Sequence, residues 1–318
     1  MTDKRQMKKI DMETLEKAEH KVSVGKLKKA VTAAVAVLIV AAGGYGAYWL
    51  ITGEVVASRL TVNNMNCPAC VVTVQEVTGK IPGVIRTDVS LAAQDVTVEF
   101  RSKQTNPELI KGAIVKAGYP ASVDATFKPG GAGVDDLVVA LVNGRPLFRK
   151  DLEEGLTLMK EGKAEDAASR YFSSVGTEIL LQAADKETVV VQPYEVEEEV
   201  QSLGKKLGLS KEELGQKVSK EYGSVEKFNQ MVARRLGIRK LLDDRILQGV
   251  QDSKERERKT LEWVGSVFKD ADVKLLDPQL KEKVHAAAGQ DDWKIFWPRM
   301  IGRKTELKSI LIPEQATN

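Results

Sequence analysis

The chain has few of the side chains on which most metal and disulfide sites depend. Its 318 residues include 2 cysteines and 2 histidines, which excludes a framework of several disulfide bridges. The histidines, His20 and His285, are far apart and have no ligand-like neighbours, which argues against a histidine-rich zinc or copper cage. Any metal or redox chemistry therefore has to centre on the two cysteines.

An excess of charge of one sign is also missing. The 48 basic and 45 acidic residues give a net charge of +3 and are spread along the chain, so no basic surface for nucleic acid is predicted. The 29% charged and 42% hydrophobic composition is that of a folded protein, and the length allows two or three domains.

Charge is absent altogether from residues 30–51, which read AVTAAVAVLIVAAGGYGAYWLI. A helix of about 20 apolar residues spans a bilayer. Tyr45, Tyr48 and Trp49 lie near the end of this run, where aromatic rings favour the membrane interface. The sequence therefore predicts one transmembrane helix over residues 30–51.

Basic residues before this run set its predicted orientation. By the positive-inside rule, residues 1–29 stay in the cytoplasm and the remainder is exported, which predicts a single-pass protein of the cytoplasmic (inner) membrane with periplasmic or external domains. The alternative is a cleaved signal peptide with Val55-Val56-Ala57 as cleavage site, but the uncharged run is longer than a signal's apolar core. The basic residues are Lys4, Arg5, Lys8, Lys9, Lys17, Lys21, Lys26, Lys28 and Lys29.

Both cysteines fall in one motif, Cys67-Pro68-Ala69-Cys70, at a predicted junction between a strand and a helix. Two runs, 85–91 and 96–100, then flank a short polar turn at Gln94-Asp95 and predict a hairpin. A second amphipathic helix and a strand over 121–125 complete the order βαββαβ. We therefore predict an α+β chain whose residues 57–125 form a ferredoxin-like domain.

The position of the cysteines favours metal binding. A helix N-terminus stabilises a thiolate through the helix dipole and free backbone amides, and a metal ion needs that thiolate. Two sulfurs three positions apart suit soft ions such as Hg(II) or Cu(I), which accept few thiolate ligands. Zn(II) prefers four ligands, and no third cysteine, histidine or carboxylate lies beside the motif.

The segments NMNCPAC, GVIRTDVS, VTVEF and AGYPASV resemble the heavy-metal-associated domain, and within it the MerP-like periplasmic mercury-binding proteins. The resemblance implies that Cys67 and Cys70 are the metal ligands, that Met65 packs the loop and that Tyr119 is a neighbour of the site. The usual Gly-Met-Thr start of the motif is here Asn64-Met65-Asn66, which leaves the choice between Hg(II) and Cu(I) open.

Two other interpretations of the motif remain. An exported CxxC pair can be a redox centre, and Cys-Pro-x-Cys occurs in some thioredoxin-like proteins, although a hairpin after the first helix is the wrong element order for that fold. The pair can also be a structural disulfide. Metal binding is the interpretation that the motif context favours.

A breaker cluster within residues 126–134 predicts a linker, followed by a mostly helical domain over 135–276. A strand over 138–142 ends at the turn pair Asn143-Gly144, and Ser210 with Glu213 predicts a capping box. A strand over 273–276 is expected to pair back onto the first. The segments VNGRPLFRKDL, LLQAAD and PYEVEEEV resemble the N-terminal domain of the SurA family of periplasmic folding factors.

That resemblance implies a chaperone-like surface that contacts a protein client or a metal-recipient protein. No parvulin domain has room to follow, so prolyl isomerase activity is not expected and the protein is predicted not to be an enzyme. The alternatives are a helical scaffold for the metal domain, a membrane-anchored chaperone with a metal-sensing domain, and a thiol-disulfide oxidoreductase. The tail, 277–318, contains an aromatic and apolar cluster that we expect to dock on its own domain: Trp293, Phe296, Trp297, Met300 and Ile301.

Overall fold

The computed structural model describes residues 53–129, 137–152, 167–289, 293–294 and 297–298. The chain divides into one unit of residues Met1–Glu54 and a second, compact unit of residues Val55–Asn318. The predicted cytoplasmic segment, 1–29, the predicted anchor, 30–51, and residues 130–134 of the predicted linker lie outside the described residues. Across the part of the chain that is described, no helix is long and apolar enough to cross a membrane.

The first sheet has the predicted ferredoxin-like topology. Its strand order is β2-β3-β1-β4, and each neighbouring pair is antiparallel. Leu60 of the first strand lies opposite Val96 and Val123, and these side chains belong to one core that includes residues of both helices. The elements are β1 (Val55–Val62), α1 (Pro68–Gly79), β2 (Val84–Ser90), β3 (Asp95–Arg101), α2 (Pro107–Lys116) and β4 (Ala121–Phe127).

A second, three-stranded sheet follows in the order β6-β5-β7, built from β5 (Val138–Val142), β6 (Arg145–Phe148) and β7 (Val273–Leu275). Asn143 and Gly144 have φ values of 51° and 82°, as a two-residue hairpin turn of the primed type requires. The predicted first strand, its turn and the returning last strand are confirmed. Strand β6 was not predicted.

Helices make up most of the remaining described residues, which confirms the predicted α+β composition. Gly208 ends one helix with a φ of 67°, and the next begins with the predicted capping box, since Ser210 and Glu213 exchange side-chain to backbone hydrogen bonds. The elements are α3 (Ala167–Lys186), α4 (Pro193–Leu207), α5 (Lys211–Tyr222), α6 (Val225–Lys240), a π-helix (Leu241–Ile246), α7 (Ser253–Lys269) and α8 (Pro278–Ala288).

The tail docks on its own domain at Trp293, as predicted. This side chain is 2% exposed, and its indole N–H donates to the carbonyl oxygen of Phe268 at 3.0 Å. Its ring lies 6.2 Å from the ring of Phe172 and 5.1 Å from that of Phe268. Phe296, Met300 and Ile301 lie outside the described residues.

The second sheet packs on part of the face of the first sheet that turns away from α1 and α2, through the apolar cluster of Ala57, Phe127, Val138 and Phe148. Arg59 on this face is 7% exposed, and its guanidinium donates to both carboxylate oxygens of Asp151 at 2.8 and 2.7 Å. The guanidinium also lies 4.2 Å above the ring of Phe148. Burial opposes ionisation of Asp151, yet the adjacent Arg59 brings the pKa of this carboxyl below its usual value.

A second charged cluster, around Arg145 of the second sheet, joins the first sheet to α3. Its guanidinium lies 3.5 Å from Asp88 on β2, and 3.4 and 3.3 Å from Glu178 and Asp185 on α3. Burial raises the pKa of Glu178 to about 7, even though Arg145 and a hydrogen bond from Gln182 favour its charged form.

We expect Arg59→Met to lower the free energy of unfolding by about 3–5 kcal/mol, because it leaves Asp151 buried without its partner. The double variant Arg59→Met/Asp151→Leu should recover part of this loss, since neither charge then remains. Urea unfolding of the four members of this cycle measures the coupling. The exposed Arg258→Met is the control and should change stability by under about 1 kcal/mol; an equal effect at Arg59 contradicts the prediction.

Glu178 should make the protein less stable as pH rises from about 4.5 to about 7. Its folded pKa lies above the unfolded value, so in this window the folded state binds more protons, and stability falls with increasing pH. Glu178→Gln should remove a slope of up to about 1.4 kcal/mol per pH unit. Urea unfolding across this range tests it, with the exposed Glu187→Gln as control; parallel curves for Glu178→Gln and wild type contradict it.

Candidate metal centre

The two cysteines are presented by a short loop, Asn63–Cys67, which we call the metal loop and which connects β1 to α1. Asn64 has a φ of 67°, a left-handed conformation that glycine adopts freely and that asparagine tolerates better than other residues. This explains why Asn64 can occupy the first position of the motif, where the related pattern has glycine. The loop then turns directly into α1.

Cys67 and Cys70 occupy the N-terminal end of α1. Cys67 is the N-cap, and Pro68 holds the first helical position, where a missing N–H costs nothing. The Cys70 N–H donates to the carbonyl oxygen of Cys67 at 3.0 Å and points at its Sγ at 3.1 Å. The two sulfurs are joined as a disulfide, with Cys70 4% exposed and Cys67 half-buried.

The same two sulfurs become a dithiolate on two-electron reduction, and only that form can bind a metal ion. The first turn of α1 has no acidic residue, so the helix dipole and its amides favour negative charge on the sulfurs. The Oδ1 of Asn66 lies 3.9 Å from the Sγ of Cys70. Within the residues that are described, no group of three or more His, Cys, Asp or Glu side chains could hold a metal ion. The thiolates that this loop can offer are those of Cys67 and Cys70.

The residues predicted to lie near the site take different positions. Met65 is fully buried in the same apolar core as Cys70. Tyr119 is half-buried and packs against that core, and the neighbouring Pro120 accepts a hydrogen bond from the Asn63 N–H at 2.8 Å. The turn that contains Tyr119 therefore lies beside the start of the metal loop. His285 lies on α8, within the described residues 137–152 and 167–289, which we call the helical part.

Gln94 is the residue of this site that sequence reasoning missed. Its side-chain amide donates to the carbonyl oxygens of Met65 and Leu91, and its Oε1 accepts from the Met65 N–H at 3.2 Å. The sequence predicted a polar turn at Gln94-Asp95, whereas the turn spans Leu91–Gln94 and Asp95 begins β3. An apolar run in that turn, Leu91-Ala92-Ala93, was the available signal, because exposed hairpin turns are usually polar.

A cleft of about 730 Å³ lies elsewhere in the same unit. Its walls come from the outer face of β2 and β3, from the Asn143-Gly144 turn, and from α3 and α7. Arg86 and Glu99 line one side, and Trp263 lines the other. None of its lining residues belongs to the metal loop or to α1, so the cleft is not part of the metal centre.

A cysteine pair that caps the first helix of a βαββαβ sheet defines a dithiol domain of the ferredoxin-like class. The model of the heavy-metal-associated domain family matches residues 59–120. The mercuric transport protein periplasmic component of Salmonella typhi is 38% identical over 64 residues, which are 20% of this chain and 70% of that protein. This chain belongs to the heavy-metal-associated domain family.

Two further relatives are each similar to part of the chain. Copper-transporting ATPase 1 of Mus musculus is 36% identical over 70 residues, which are 22% of this chain and 5% of that protein. The crystal structure of oxidized MerP from Ralstonia metallidurans CH34 is 32% identical, with 23% of this chain and 100% of that chain covered and a TM-score of 0.22. The fold assignment rests on the strand order of the first sheet and not on this superposition.

Because Cys67 is the N-cap of α1, its substitution by serine and its substitution by alanine should change stability by different amounts. In the reduced protein, Cys67→Ser keeps a side-chain acceptor for the Cys70 N–H, whereas Cys67→Ala should cost about 1 kcal/mol of stability. Urea unfolding of both variants under reducing conditions measures the difference. Equal stability of the two would contradict a capping role for this side chain.

Proposed function

We propose that this protein binds one soft metal ion, Hg(II) or Cu(I), between the thiolates of Cys67 and Cys70 and passes it to a protein partner. The observation that carries the proposal is the placement of both sulfurs within bonding distance at the N-terminus of α1, in a domain of the heavy-metal-associated family. Relatives described as mercuric transport and copper-transporting proteins support the same two ions.

The choice of ion class follows from the donor set. Soft ions accept two thiolates, so Cys67 and Cys70 are sufficient for Hg(II) or Cu(I). Zn(II) favours four protein ligands in a closed site, and the described residues around the loop supply no third side-chain ligand. Two ligands also leave the ion open to attack by the thiolates of a second protein, which suits transfer.

We further propose that the protein is held in the cytoplasmic membrane by residues 30–51, with its metal domain outside the cytoplasm. The uncharged run and the basic residues before it support this orientation. The SurA-like pattern over residues 135–276 supports contact between the helical part and a protein, either the metal recipient or an unfolded client. No resident cofactor other than the transported ion is part of the proposal.

The second candidate is thiol-disulfide exchange, which the Cys67–Cys70 disulfide favours. An exchange reaction transfers two electrons: the disulfide of a substrate is reduced to two thiols while Cys67 and Cys70 become joined. The βαββαβ order argues against it, because in a thioredoxin-like domain the CxxC helix is not followed directly by a β-hairpin.

Metal titration of the reduced full-length protein tests the main proposal. With a competing chelator present, we expect one equivalent of Cu(I) or Hg(II) to bind, and Zn(II) to bind far more weakly. Binding should be lost in Cys67→Ser/Cys70→Ser, which keeps a polar N-cap. Absence of tight binding of all three ions would refute the proposal, and catalytic reduction of insulin by the wild-type protein would then favour the exchange reaction.

A further inference from the structure

The β2–β3 turn, residues Leu91–Gln94, is buried although hairpin turns normally lie on the surface. Ala92 and Ala93 are 5% and 3% exposed and belong to the main core of the helical part. They do not belong to the core of the metal domain, which consists of β1–β4, α1 and α2. The metal domain therefore inserts one of its turns into the helical part of the chain.

Two charged side chains of the helical part hold this turn by its polar atoms. Asp185 of α3 accepts from the Ala92 N–H at 2.8 Å and from the Ser90 hydroxyl at 2.7 Å. Arg234 of α6 donates to the carbonyl oxygen of Ala93 at 3.1 Å. Hydrogen bonds to charged groups contribute more to stability than hydrogen bonds between neutral groups, so the position of the turn depends on α3 and α6.

The opposite side of the turn holds the metal loop. Through Gln94, both the N–H and the carbonyl group of Met65 are hydrogen-bonded, much as a neighbouring strand would bind them. The Gln94 carbonyl oxygen also accepts from the Val62 N–H at 2.9 Å. Met65 lies two residues before Cys67, so the turn fixes the backbone that presents the first sulfur.

The helical part also touches the metal loop directly. The Gln230 side chain, one helical turn before Arg234 on α6, donates to the Oδ1 of Asn63 at 2.7 Å. Gln192, the N-cap of α4, donates to the carbonyl oxygen of Asn66 at 3.4 Å. Both ends of the loop thus contact the helical part.

We propose that the helical part of this chain positions the metal loop for binding, through a relay in which Asp185 and Arg234 hold the β2–β3 turn and Gln94 holds Met65. The inference rests on the proposed metal binding at Cys67 and Cys70. None of these relay residues contacts the ion; each restricts the loop so that the two sulfurs are already placed before the ion arrives. Positioning groups outside the ligand shell typically contribute 10–100-fold to metal affinity.

Two variants of the reduced full-length protein test the relay by Cu(I) titration against a competing chelator. Arg234→Met removes the donor to the turn and changes no side chain that contacts the loop. Gln94→Glu replaces the amide that donates to the carbonyl oxygen of Met65 by a carboxylate, which this oxygen repels. Each should weaken Cu(I) binding by about tenfold or more. The matched controls are Arg239→Met, which removes a charge from the same helix, and Gln75→Glu, which adds one to the exposed face of α1.

Affinities of Arg234→Met and Gln94→Glu within twofold of their controls would overturn the relay. A wild-type protein that binds no Cu(I) would instead refute the proposed function, so the two failures are distinguishable. Unfolding midpoints of all four variants show whether any loss of affinity reflects loss of the fold.

Hydrogen exchange of the wild-type protein gives a test that needs no variant. Coupling between two sites is reciprocal. If docking of the turn strengthens Cu(I) binding tenfold, Cu(I) binding must also shift the equilibrium between the open and the docked turn about tenfold toward the docked form. The Ala92 N–H, which donates to Asp185, should therefore exchange about tenfold more slowly in the Cu(I) form than in the reduced metal-free form. Equal exchange rates in the two forms would overturn the inference.

Discussion

The ion pair between Arg59 and Asp151 is the contact on which the arrangement of this chain depends. A sheet of the ferredoxin-like type has one face covered by its two helices and another that is usually open to water. Here the open face carries an arginine whose charge can be buried only because Asp151, from beyond the second sheet, lies against it. The apolar side chains of Ala57, Phe127, Val138 and Phe148 form one cluster between the two sheets, and the Phe148 ring lies against the guanidinium.

Two further contacts join the metal domain to the helical part. Arg145 bridges β2 and α3, and the adjacent β2–β3 turn lies in the helical core. The β2–β3 turn also contacts the loop that holds the cysteines. The small dithiol domain is here combined with a helical part whose Gln230 and Gln192 contact the metal loop directly. The helical part thus has a physical connection to the metal site in addition to any role in contacting other proteins.

The site chemistry was accessible from the sequence because it is local. A CxxC motif between a strand and an amphipathic helix places two sulfurs at a helix N-terminus whatever the remainder of the chain does, and the hairpin that follows this helix defined the fold class. Caps such as Ser210 with Glu213, and the Asn143-Gly144 turn, are local in the same sense, since they involve neighbours in sequence.

The contacts between the two parts were not accessible from the sequence. Arg59 lies in β1, and its partner Asp151 is 92 positions away along the chain. Gln94 and Met65 are 29 positions apart, and Arg234 and Ala93 are 141 apart. Composition and periodicity determine which residues form strands, helices and a thiol pair, because these depend on neighbours along the chain. Which buried charge meets which, and which turn enters which core, is decided only by the tertiary structure, because desolvation and pairing act between groups that the sequence leaves far apart.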